Sequence, residues 1–386
     1  MKLMVVMPLA EQRGGGEMML LDLMQQGRNA GVEWLVIFLE DGPMVEQVKN
    51  FGIDTRVVES GRLRQVHRFM AAVFRIAAIA RREGVDAIVN WMWITHISGG
   101  LAAIIAGLPA VWYQLEAPHD KPWLVRLATL LPARAIITLS KDGQKAQSQI
   151  WPHRPTPLVY PGVALDRFEP SILPTPAAAR EKLGLPMHGP LIGIVGRLQR
   201  WKGIHVLIQA MPKILQKYPD AHCVVVGGKH DLEADYEDLV KTQIADLGLN
   251  QQVIMAGLQR NVPEWVQGMD VFVHASDNEP FGIVIIEAMA LGKPVIAGNA
   301  GGPPEIITDG VNGLLTPYGD ADALAIAILR YLDDQEFAQT AATAARKRAL
   351  EFSTQHYAQN FINAVRSALP NVFTPTAKTL PGLKNF

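Results

Sequence analysis

Apolar strand-like runs alternate with amphipathic helical stretches along the whole chain. This alternation is typical of α/β proteins, in which helices connect neighbouring strands of a parallel sheet. In the first half the predicted strands are Leu3–Met7, Trp34–Leu39, Arg56–Val58, Ala87–Asn90, Ala110–Tyr113, Ala135–Leu139 and Pro157–Tyr160. In the second half they are Leu191–Val195, His222–Val226, Val253–Met255, Val271–His274, Val295–Ala297 and Gly313–Leu315. Because 386 residues is long for one domain, the pattern predicts two similar α/β domains.

The segment from Tyr160 to Pro170 joins the two halves, and a stretch rich in proline and alanine follows it. We expect that stretch to be a loop as far as about Pro186. Two sheet domains joined in this way face each other across a cleft, where a ligand usually binds. One or two further helices are expected from about Phe352 to Leu369. The predicted division of the chain is residues 1–168, 169–352 and 353–386, of which 370–386 form a tail.

Composition excludes several classes of protein. A net charge of −1 gives no reason to expect nucleic acid as a partner. A hydrophobic content of 49% with 19% charged residues indicates a globular protein with sizeable cores. The one cysteine, Cys223, lies in an apolar run, so we expect a buried, inert thiol and no internal disulfide. This fits a reducing compartment, and a cytoplasmic location is expected.

Two apolar segments need separate interpretation. Met1–Pro8 is short and lacks a small-residue cleavage pattern, so it is predicted to be a buried strand and not a signal peptide. Ala87–Leu115 carries no formal charge and is long enough to span a bilayer. Polar residues, a Gly-Gly pair and a Gly-Leu-Pro turn interrupt it, which favours a strand, a helix and a second strand.

Two glutamates, Glu279 and Glu287, are separated by seven residues around a Pro-Phe-Gly turn. Glu279 follows a predicted strand, and open α/β sheets bind ligands at the C-terminal edge of their strands. The N–H groups of Phe281 to Ile283 begin the next helix without helical partners, which favours an anionic group there. The segment thus offers a phosphate site between two carboxylates that can accept hydrogen bonds from hydroxyl groups. This combination matches the groups of a nucleotide-sugar.

Two cations, Arg197 and Lys202, lie at the C-terminal end of the first predicted strand of the second half. Fixed cations at that edge neutralise a diphosphate and stabilise the charge that develops as it leaves. They supply what a metal would otherwise provide, and no D-x-D motif stands in a suitable loop. The match Asp320-Ala-Asp322 is predicted to cap a helix. We therefore expect neither a metal nor a cofactor.

These motifs resemble those of glycosyltransferase family 4, whose members are retaining enzymes with the GT-B fold. Glu279 to Glu287 resembles the family's E-x7-E motif, and Gly196 to Gly203 resembles its G-R-x-x-x-x-K-G motif. The resemblance covers nearly the whole chain. It implies two Rossmann-like domains that face a deep cleft, with a C-terminal helix that crosses back to the N-terminal domain.

The resemblance also implies roles for single residues. Glu279 is expected to accept hydrogen bonds from hydroxyls of the donor sugar, and Glu287 to hold the ribose. The N–H groups of Phe281 and Gly282 are expected to face the sugar or the phosphate. Glu305, in a segment like the family's G-G-x-x-E, is expected only to cap a helix. The remaining implied donor contacts are Gly15, Gly16, Gly227, Leu258, Pro280 and Ile283.

The loop after the fifth predicted strand departs from the family pattern. Many members place a histidine there, near the acceptor hydroxyl. Alignment on the strand puts Leu115 or Glu116 at that position, and His119 lies three or four residues later. Glu116 is therefore the first candidate for the polar or basic group on the acceptor side, and His119 is the second. Either could equally be an ordinary loop residue.

Six arginines and His67, without any acid, lie between Gly61 and Arg82. Apolar residues at partly helical spacing accompany them. The stretch is read either as a helix packed on the sheet with its charges outward, or as a basic amphipathic face that touches anionic lipid. The second reading would place the protein peripherally at the inner face of the membrane.

The resemblance implies a retaining, metal-independent transfer of a hexose such as glucose from a nucleotide diphosphate sugar, UDP by default. The acceptor would be a hydroxyl of a glycan or lipid-linked acceptor in polysaccharide or glycolipid synthesis. A GT-B-fold sugar-nucleotide epimerase and a non-catalytic nucleotide-sugar sensor remain as alternatives. The epimerase needs acid/base pairs that the sequence does not place. The combination of Arg197, Lys202, Glu279 and Glu287 argues against the sensor.

Overall fold

A computed structural model of the chain describes residues 1–369 apart from positions 13, 29, 62–64 and 117–121. The predicted tail, 370–386, lies outside the described residues. The strands of the first sheet are β1 Lys2–Met7, β2 Glu33–Phe38, β3 Asp54–Val57, β4 Ala87–Trp91, β5 Ala110–Gln114 and β6 Ala135–Thr138. The strands of the second sheet are β7 Leu191–Val195, β8 His222–Val226, β9 Val253–Gly257, β10 Val271–His274, β11 Val295–Gly298 and β12 Leu314–Thr316.

The helices lie on both faces of these sheets. In the first domain they are α1 Gly15–Gly27, α2 Pro43–Asn50, α3 Val66–Arg82, α4 Met92–Ala106, α5 Pro122–Leu130 and α6 Lys141–Ser148. In the remainder they are α7 Pro176–Leu183, α8 Ile204–Leu215, α9 Tyr236–Asp246, α10 Val262–Gly268, α11 Ile283–Ala290, α12 Pro303–Ile306, α13 Ala321–Asp333, α14 Gln335–Ala349 and α15 Thr354–Ala368. Because helices cover both faces, strands such as β4, β5 and β7 are buried along their whole length and are mostly apolar.

Both sheets are parallel and share one strand order. The first runs β3-β2-β1-β4-β5-β6 and the second runs β12-β11-β10-β7-β8-β9, which is the same doubly wound order. The order reverses between β1 and β4 and between β7 and β10. Ligands of such sheets bind outside the C-terminal ends of the strands at these reversal points.

The last helix, α15, crosses back to the first domain, as predicted, and packs against α1. Its anchor is Phe361, whose ring centroid lies 5.9 Å from that of Trp91 and 5.1 Å from that of Tyr113. All three rings are fully buried. The chain therefore forms the predicted GT-B architecture of two parallel-sheet domains with a returning C-terminal helix.

Two local predictions were wrong. Pro157–Tyr160 forms only an isolated bridge with β6, between Leu158 and Thr138, because prolines in this segment lack the N–H groups that a ladder needs. The proline- and alanine-rich stretch is not all loop, since it contains α7. The Thr175 hydroxyl caps that helix, Pro176 occupies its first turn and Gly184 ends it in the left-handed conformation.

Other local predictions were right. Ala87–Leu115 contains a strand, a helix and a strand, and none of the helices in the described ranges is long and apolar enough to cross a membrane. The Asp320 carboxylate caps α13 by accepting a hydrogen bond from the N–H of Ala323 at 2.8 Å. Cys223 is fully buried, and burial raises the pKa of its thiol to about 12, so it stays protonated and inert.

Candidate active site

The N-termini of α1 and α11 meet where the two domains face each other. Each helix begins beyond the C-terminal end of a strand, α1 after β1 and α11 after β10. A Cβ atom placed on Gly15 would lie 3.0 Å from Ile283 Cδ1, and one on Gly14 would lie 3.7 Å from Arg197 Cζ. A Cβ at position 15 would press on Ile283, so glycine there lets the first domain come close to the ligand edge of the second domain, whereas position 14 has ordinary van der Waals room beside Arg197.

A buried ion pair lies at this edge. Lys202 Nζ donates to Glu279 Oε2 at 2.6 Å, and their side chains are only 14% and 11% exposed. The Lys202 ammonium also lies 3.9 Å from the centroid of the Trp201 ring. Sequence motifs place these residues on two loops of one sheet edge, but they do not predict the bond between them.

His274 contacts the same carboxylate oxygen of Glu279. Its Nε2 lies 2.9 Å from Glu279 Oε2 and 3.1 Å from Ser276 Oγ. Burial lowers the pKa of His274 although the neighbouring carboxylate opposes that shift, so the ring is neutral at pH 7 and its N–H donates. Sequence reasoning missed His274, since a histidine at the end of an apolar strand reads as an ordinary core residue.

The environment of Glu279 fixes its charge. Burial alone would raise the pKa of this carboxyl, but the Lys202 charge and the hydrogen bond from His274 outweigh burial and hold the pKa well below its usual range. Glu279 is therefore a carboxylate at neutral pH. Both of these contacts fall on Oε2, so Oε1 is the oxygen suited to a hydroxyl of a ligand.

Arg197 and Lys202 come from the same loop after β7. A Cβ placed on Gly196 would lie 3.6 Å from Lys202 Cδ, so the Lys202 side chain passes over the residue next to Arg197. Both cations are half-buried. Arg197 and Lys202 therefore place two positive charges at the sheet edge of the second domain, where an anionic ligand could bind opposite Gly14.

The turn between Glu279 and α11 presents its backbone to the cleft. Gly282, the N-cap residue of α11, has a φ of +103°, a conformation that residues with a Cβ rarely adopt. The Phe281 ring is turned inward, 5.5 Å from the Tyr160 ring and 5.7 Å from the Phe352 ring between centroids. The core contacts of Phe281 therefore anchor the turn, and its N–H group is the part available to a ligand.

Glu287 lies one turn further along α11 and is half-buried. Burial raises its pKa to about 7, Arg167 opposes the shift and Asp22 adds to it. The pKa of Asp22 is likewise raised to about 7 by burial. These partners come from α1 and from the segment that joins the domains, and no sequence motif indicates them.

The other implied donor residues lie at the same edge. A Cβ on Gly227 would come 1.8 Å from the Gly196 carbonyl oxygen, and a Cβ on Gly16 would come 2.8 Å from Met92 Cε. Packing against backbone therefore requires glycine at position 227, whereas at position 16 the ends of the Met92 and Leu115 side chains would have to shift. Leu258 follows β9 and is 78% exposed, an uncommon state for leucine and one that suits an apolar contact with a flat ligand.

The two candidates for the acceptor side stand differently. Glu116 is half-buried just beyond β5, and it lines a small cavity together with Pro280 of the second domain. His119 lies outside the described residues. The structure thus brings Glu116 beside the loop that carries Glu279.

Glu305 has a structural role, but not the one predicted. It does not cap its own helix, α12. Its carboxylate accepts hydrogen bonds from the backbone N–H groups of Lys141 and Asp142, at 2.9 and 3.2 Å, and from the Tyr160 hydroxyl at 2.8 Å. Glu305 therefore caps α6 of the opposite domain and ties the two domains together.

Comparisons with known proteins agree with the fold. The model of the family described as Glycosyltransferase Family 4 matches residues 13–167, and that described as Glycosyl transferases group 1 matches residues 177–348. The D-inositol 3-phosphate glycosyltransferase of Frankia alni is 28% identical over 82% of this chain and 85% of its own length. An enzyme of the same name from Corynebacterium urealyticum is 33% identical over 54% of this chain, which spans about half, 50%, of that relative.

A solved structure extends the likeness to three dimensions. The Anabaena protein HepE, in complex with UDP and glucose, superimposes with a TM-score of 0.85 at 28% identity, over 95% of this chain and 100% of that chain. The fold and the cleft define a GT-B protein with its ligand edge between two Rossmann-like domains. The chain belongs to the glycosyltransferases of family 4 and group 1.

Proposed function

We propose that the protein transfers a hexose from a nucleotide diphosphate sugar to an acceptor hydroxyl, with retention of anomeric configuration and without a metal. The observation that carries the proposal is the buried pair of Lys202 and Glu279 at the sheet edge of the cleft. The pair places a cation for the diphosphate beside a carboxylate for the sugar hydroxyls. Membership of a glycosyltransferase family supports the reaction class.

UDP-glucose is the donor that we propose to test first. The structures of HepE with UDP and with UDP-glucose support this choice, at 28% identity over 95% of this chain. In this proposal Leu258 contacts the base, Glu287 holds the ribose, and Gly15, Gly16 and Gly227 let the backbone approach the ligand. Pro280, Phe281, Gly282 and Ile283 form the turn against the sugar and the phosphate.

The mechanism that we propose is a front-face displacement. The bond between the anomeric carbon and the diphosphate oxygen breaks, the acceptor oxygen bonds to that carbon from the same face, and the acceptor proton passes to the leaving phosphate. Arg197 and Lys202 stabilise the charge on the diphosphate as it leaves. Glu279 is better suited to hold sugar hydroxyls than to attack, because Lys202 and His274 engage its Oε2.

On the acceptor side, we propose that Glu116 orients the incoming hydroxyl. It lines a cavity shared with Pro280, the residue next to Glu279. Glu116→Gln removes the charge at constant size and should slow transfer while UDP binding stays intact. His119→Ala is the comparison, with a milder effect expected. An inactive His119→Ala beside an active Glu116→Gln would reverse the assignment.

We also propose that the first domain contacts an anionic membrane through α3, α4 and α5, where it would meet a lipid-linked acceptor. These helices neighbour one another and contain no aspartate or glutamate within their described ranges. On α5 the side chains of Trp123, Leu127 and Leu130 are 68%, 51% and 53% exposed at helical spacing, with Arg126 exposed between them. An apolar stripe flanked by arginine is complementary to anionic lipid.

The membrane proposal is tested by sedimentation with phosphatidylglycerol and phosphatidylcholine vesicles. The wild-type protein should sediment with the anionic vesicles, and the double variant Trp123→Ser with Leu127→Ser should lose most of that binding. Leu232→Ser is the matched control, since Leu232 is 88% exposed in the second domain. Equal sedimentation of the α5 variant and the wild type would contradict the proposal.

A donor screen with product stereochemistry tests the enzymatic proposal. Purified protein is incubated with UDP-, GDP- and ADP-sugars, and release of the nucleotide diphosphate is followed with the anomeric configuration of the sugar product. Transfer or hydrolysis with retention supports the proposal. A donor epimerised in its sugar would indicate the epimerase, and binding without turnover would indicate the sensor.

A further inference from the structure

Two buried polar side chains stand side by side at the cleft without partners in the described structure. Gln114 and Thr138 are register partners at the C-terminal ends of β5 and β6, and their residues are only 3% and 1% exposed. The Gln114 Oε1 and Nε2 atoms and the Thr138 Oγ1 atom make no hydrogen bond among the described residues. Buried polar groups almost always form hydrogen bonds, so three neighbouring atoms without one are unusual.

These atoms line a cavity that reaches the donor loop. The cavity measures about 10 Å³, room for one water-sized group, and Pro280 of the second domain closes it. Since Pro280 directly follows Glu279, the cavity borders the place proposed for the donor sugar. Among the described residues that line it, Glu116 is the charged one, and there is neither lysine nor arginine.

The chemistry of the lining selects the group that fits. The amide offers a donor and an acceptor, and the threonine hydroxyl offers both as well. A hydroxyl group matches this pattern because it donates one hydrogen bond and accepts others. A phosphate or carboxylate matches poorly, since the amide oxygen and the Glu116 carboxylate would repel it and no lysine or arginine is among the described residues that line the cavity.

We propose that Gln114 and Thr138 bind a hydroxyl group of a neutral sugar in the cleft. The proposal rests on the proposed function and adds two specificity-determining residues to it. The hydroxyl belongs either to the donor sugar or to the acceptor, and the two sources are separated by experiment. In both cases the side chains act on the sugar and leave the nucleotide untouched.

The test compares Thr138→Val and Gln114→Met with the wild-type protein. Valine has nearly the shape of threonine and removes only the hydroxyl, so Thr138→Val keeps the packing. Thr55→Val is the matched control, because Thr55 is buried at the opposite edge of the same sheet and its hydroxyl donates to the Ile53 carbonyl. Calorimetry with UDP monitors the nucleotide site in all four proteins.

Two measurements distinguish the sources. The first is the KM of UDP-glucose in acceptor-free hydrolysis, and the second is the affinity of methyl glucoside for the UDP-saturated protein. We expect Thr138→Val and Gln114→Met either to raise the KM of UDP-glucose or to lower the affinity for methyl glucoside, by about 3–10-fold. This is the effect of losing one neutral hydrogen bond, and the affinity for UDP should not change. A raised KM assigns the hydroxyl to the donor, and a lower affinity for methyl glucoside assigns it to the acceptor.

Unchanged values in both measurements for both variants would overturn the proposal and would leave the pair as the site of a structural water. Failure of the wild-type protein to bind UDP is a different result, since it refutes the proposed donor. The pair is then tested by the same two measurements with the donor that the screen identifies and its nucleotide diphosphate, and unchanged values in both Thr138→Val and Gln114→Met would again overturn the proposal.

Discussion

Lys202 Nζ and Glu279 Oε2 lie 2.6 Å apart, although they belong to loops that follow different strands, β7 and β10. The cation proposed for the diphosphate is therefore neutralised by the carboxylate proposed for the sugar in the ligand-free protein. A bound donor has to share this pair. Removal of one partner leaves the other buried without its counter-charge, so the two roles are best separated with matched variants.

The first prediction concerns the two cations. Lys202→Ala and Arg197→Ala should each raise the barrier of turnover by about 2–4 kcal/mol, because each removes a fixed charge donor from the leaving diphosphate. The measurement is kcat/KM for the nucleotide-sugar with each purified variant. Wild-type rates in both variants would refute the diphosphate assignment.

Two controls belong to this prediction. Lys213→Ala removes an exposed lysine whose Nζ lies 2.8 Å from Asp322 Oδ1, and it should leave kcat/KM unchanged. The double variant Lys202→Ala with Glu279→Gln removes both charges of the buried pair. It should be more stable to urea than Lys202→Ala alone, because no unpaired carboxylate remains buried.

The second prediction is that Glu279 and Glu287 fail differently. Glu279→Gln should lower kcat and blur discrimination between donor sugars, since it acts where bonds change in the transition state. Glu287→Gln should mainly weaken the affinity for free UDP, because its proposed partner is the ribose. Calorimetry with UDP separates the two. Loss of UDP affinity in Glu279→Gln, but not in Glu287→Gln, would mean that the roles are reversed.

The third prediction uses the pKa of Glu287, which burial raises from its ordinary value of 4.5 to about 7. Because the folded state holds this proton more tightly than the unfolded state, stability is lost as the pH rises from 4.5 through about 7. Glu287→Gln removes that loss. Between about pH 5 and pH 8, the free energy of unfolding of the wild-type protein should fall by about 1 kcal/mol more than that of the variant. This value is reduced for the partial exposure of Glu287.

Urea unfolding at the two pH values measures the change in free energy. Glu336→Gln, an exposed substitution on α14, is the control and should follow the wild-type pH dependence. Asp22 also has a pKa raised to about 7, and its charge adds to the shift of Glu287, so wild type and Glu287→Gln are compared again in an Asp22→Asn background. A difference between wild type and Glu287→Gln that is the same at both pH values would contradict the assignment.

The fourth prediction concerns the contact between the domains. Glu305→Ala removes the acceptor for the N–H groups of Lys141 and Asp142 and for the Tyr160 hydroxyl. The free energy of unfolding should fall by about 2–3 kcal/mol, because a charged helix cap and the hydrogen bond from the Tyr160 hydroxyl are lost together. Tyr160→Phe removes one of the three bonds and should cost about 1 kcal/mol. Wild-type stability of Glu305→Ala in urea would refute the capping role.

Much of the fold follows from local sequence pattern. Twelve predicted strands form because each is a short apolar run between turn residues, and α/β topology then brings their C-terminal ends to one edge. Pro157–Tyr160 was misread since its apolar residues lie among prolines that cannot donate to a ladder. The α7 helix is hidden in the sequence because its alanines lie next to prolines, which favour a loop, although Thr175 and Gly184 supply both caps.

The site could be predicted only as far as single motifs reach. The positions of Glu279, Arg197 and Lys202 relative to the strands are local properties of the sequence. Their bonds are tertiary, and so is the reach of Glu305 across the cleft to α6. Among the described residues none forms a hydrogen bond with the Gln114 amide, and such a gap depends on tertiary surroundings that no spacing in the sequence expresses.

The most direct test of the central claim is proton NMR of donor turnover in EDTA. The protein is mixed with the best donor of the screen, UDP-glucose first, and the anomeric signal of the released or transferred sugar is read before mutarotation. We expect turnover that EDTA leaves intact, an α-configured first product from the α-configured donor, and loss of turnover in Lys202→Ala. A β-configured first product, or turnover that EDTA abolishes and Mn²⁺ restores, would contradict it.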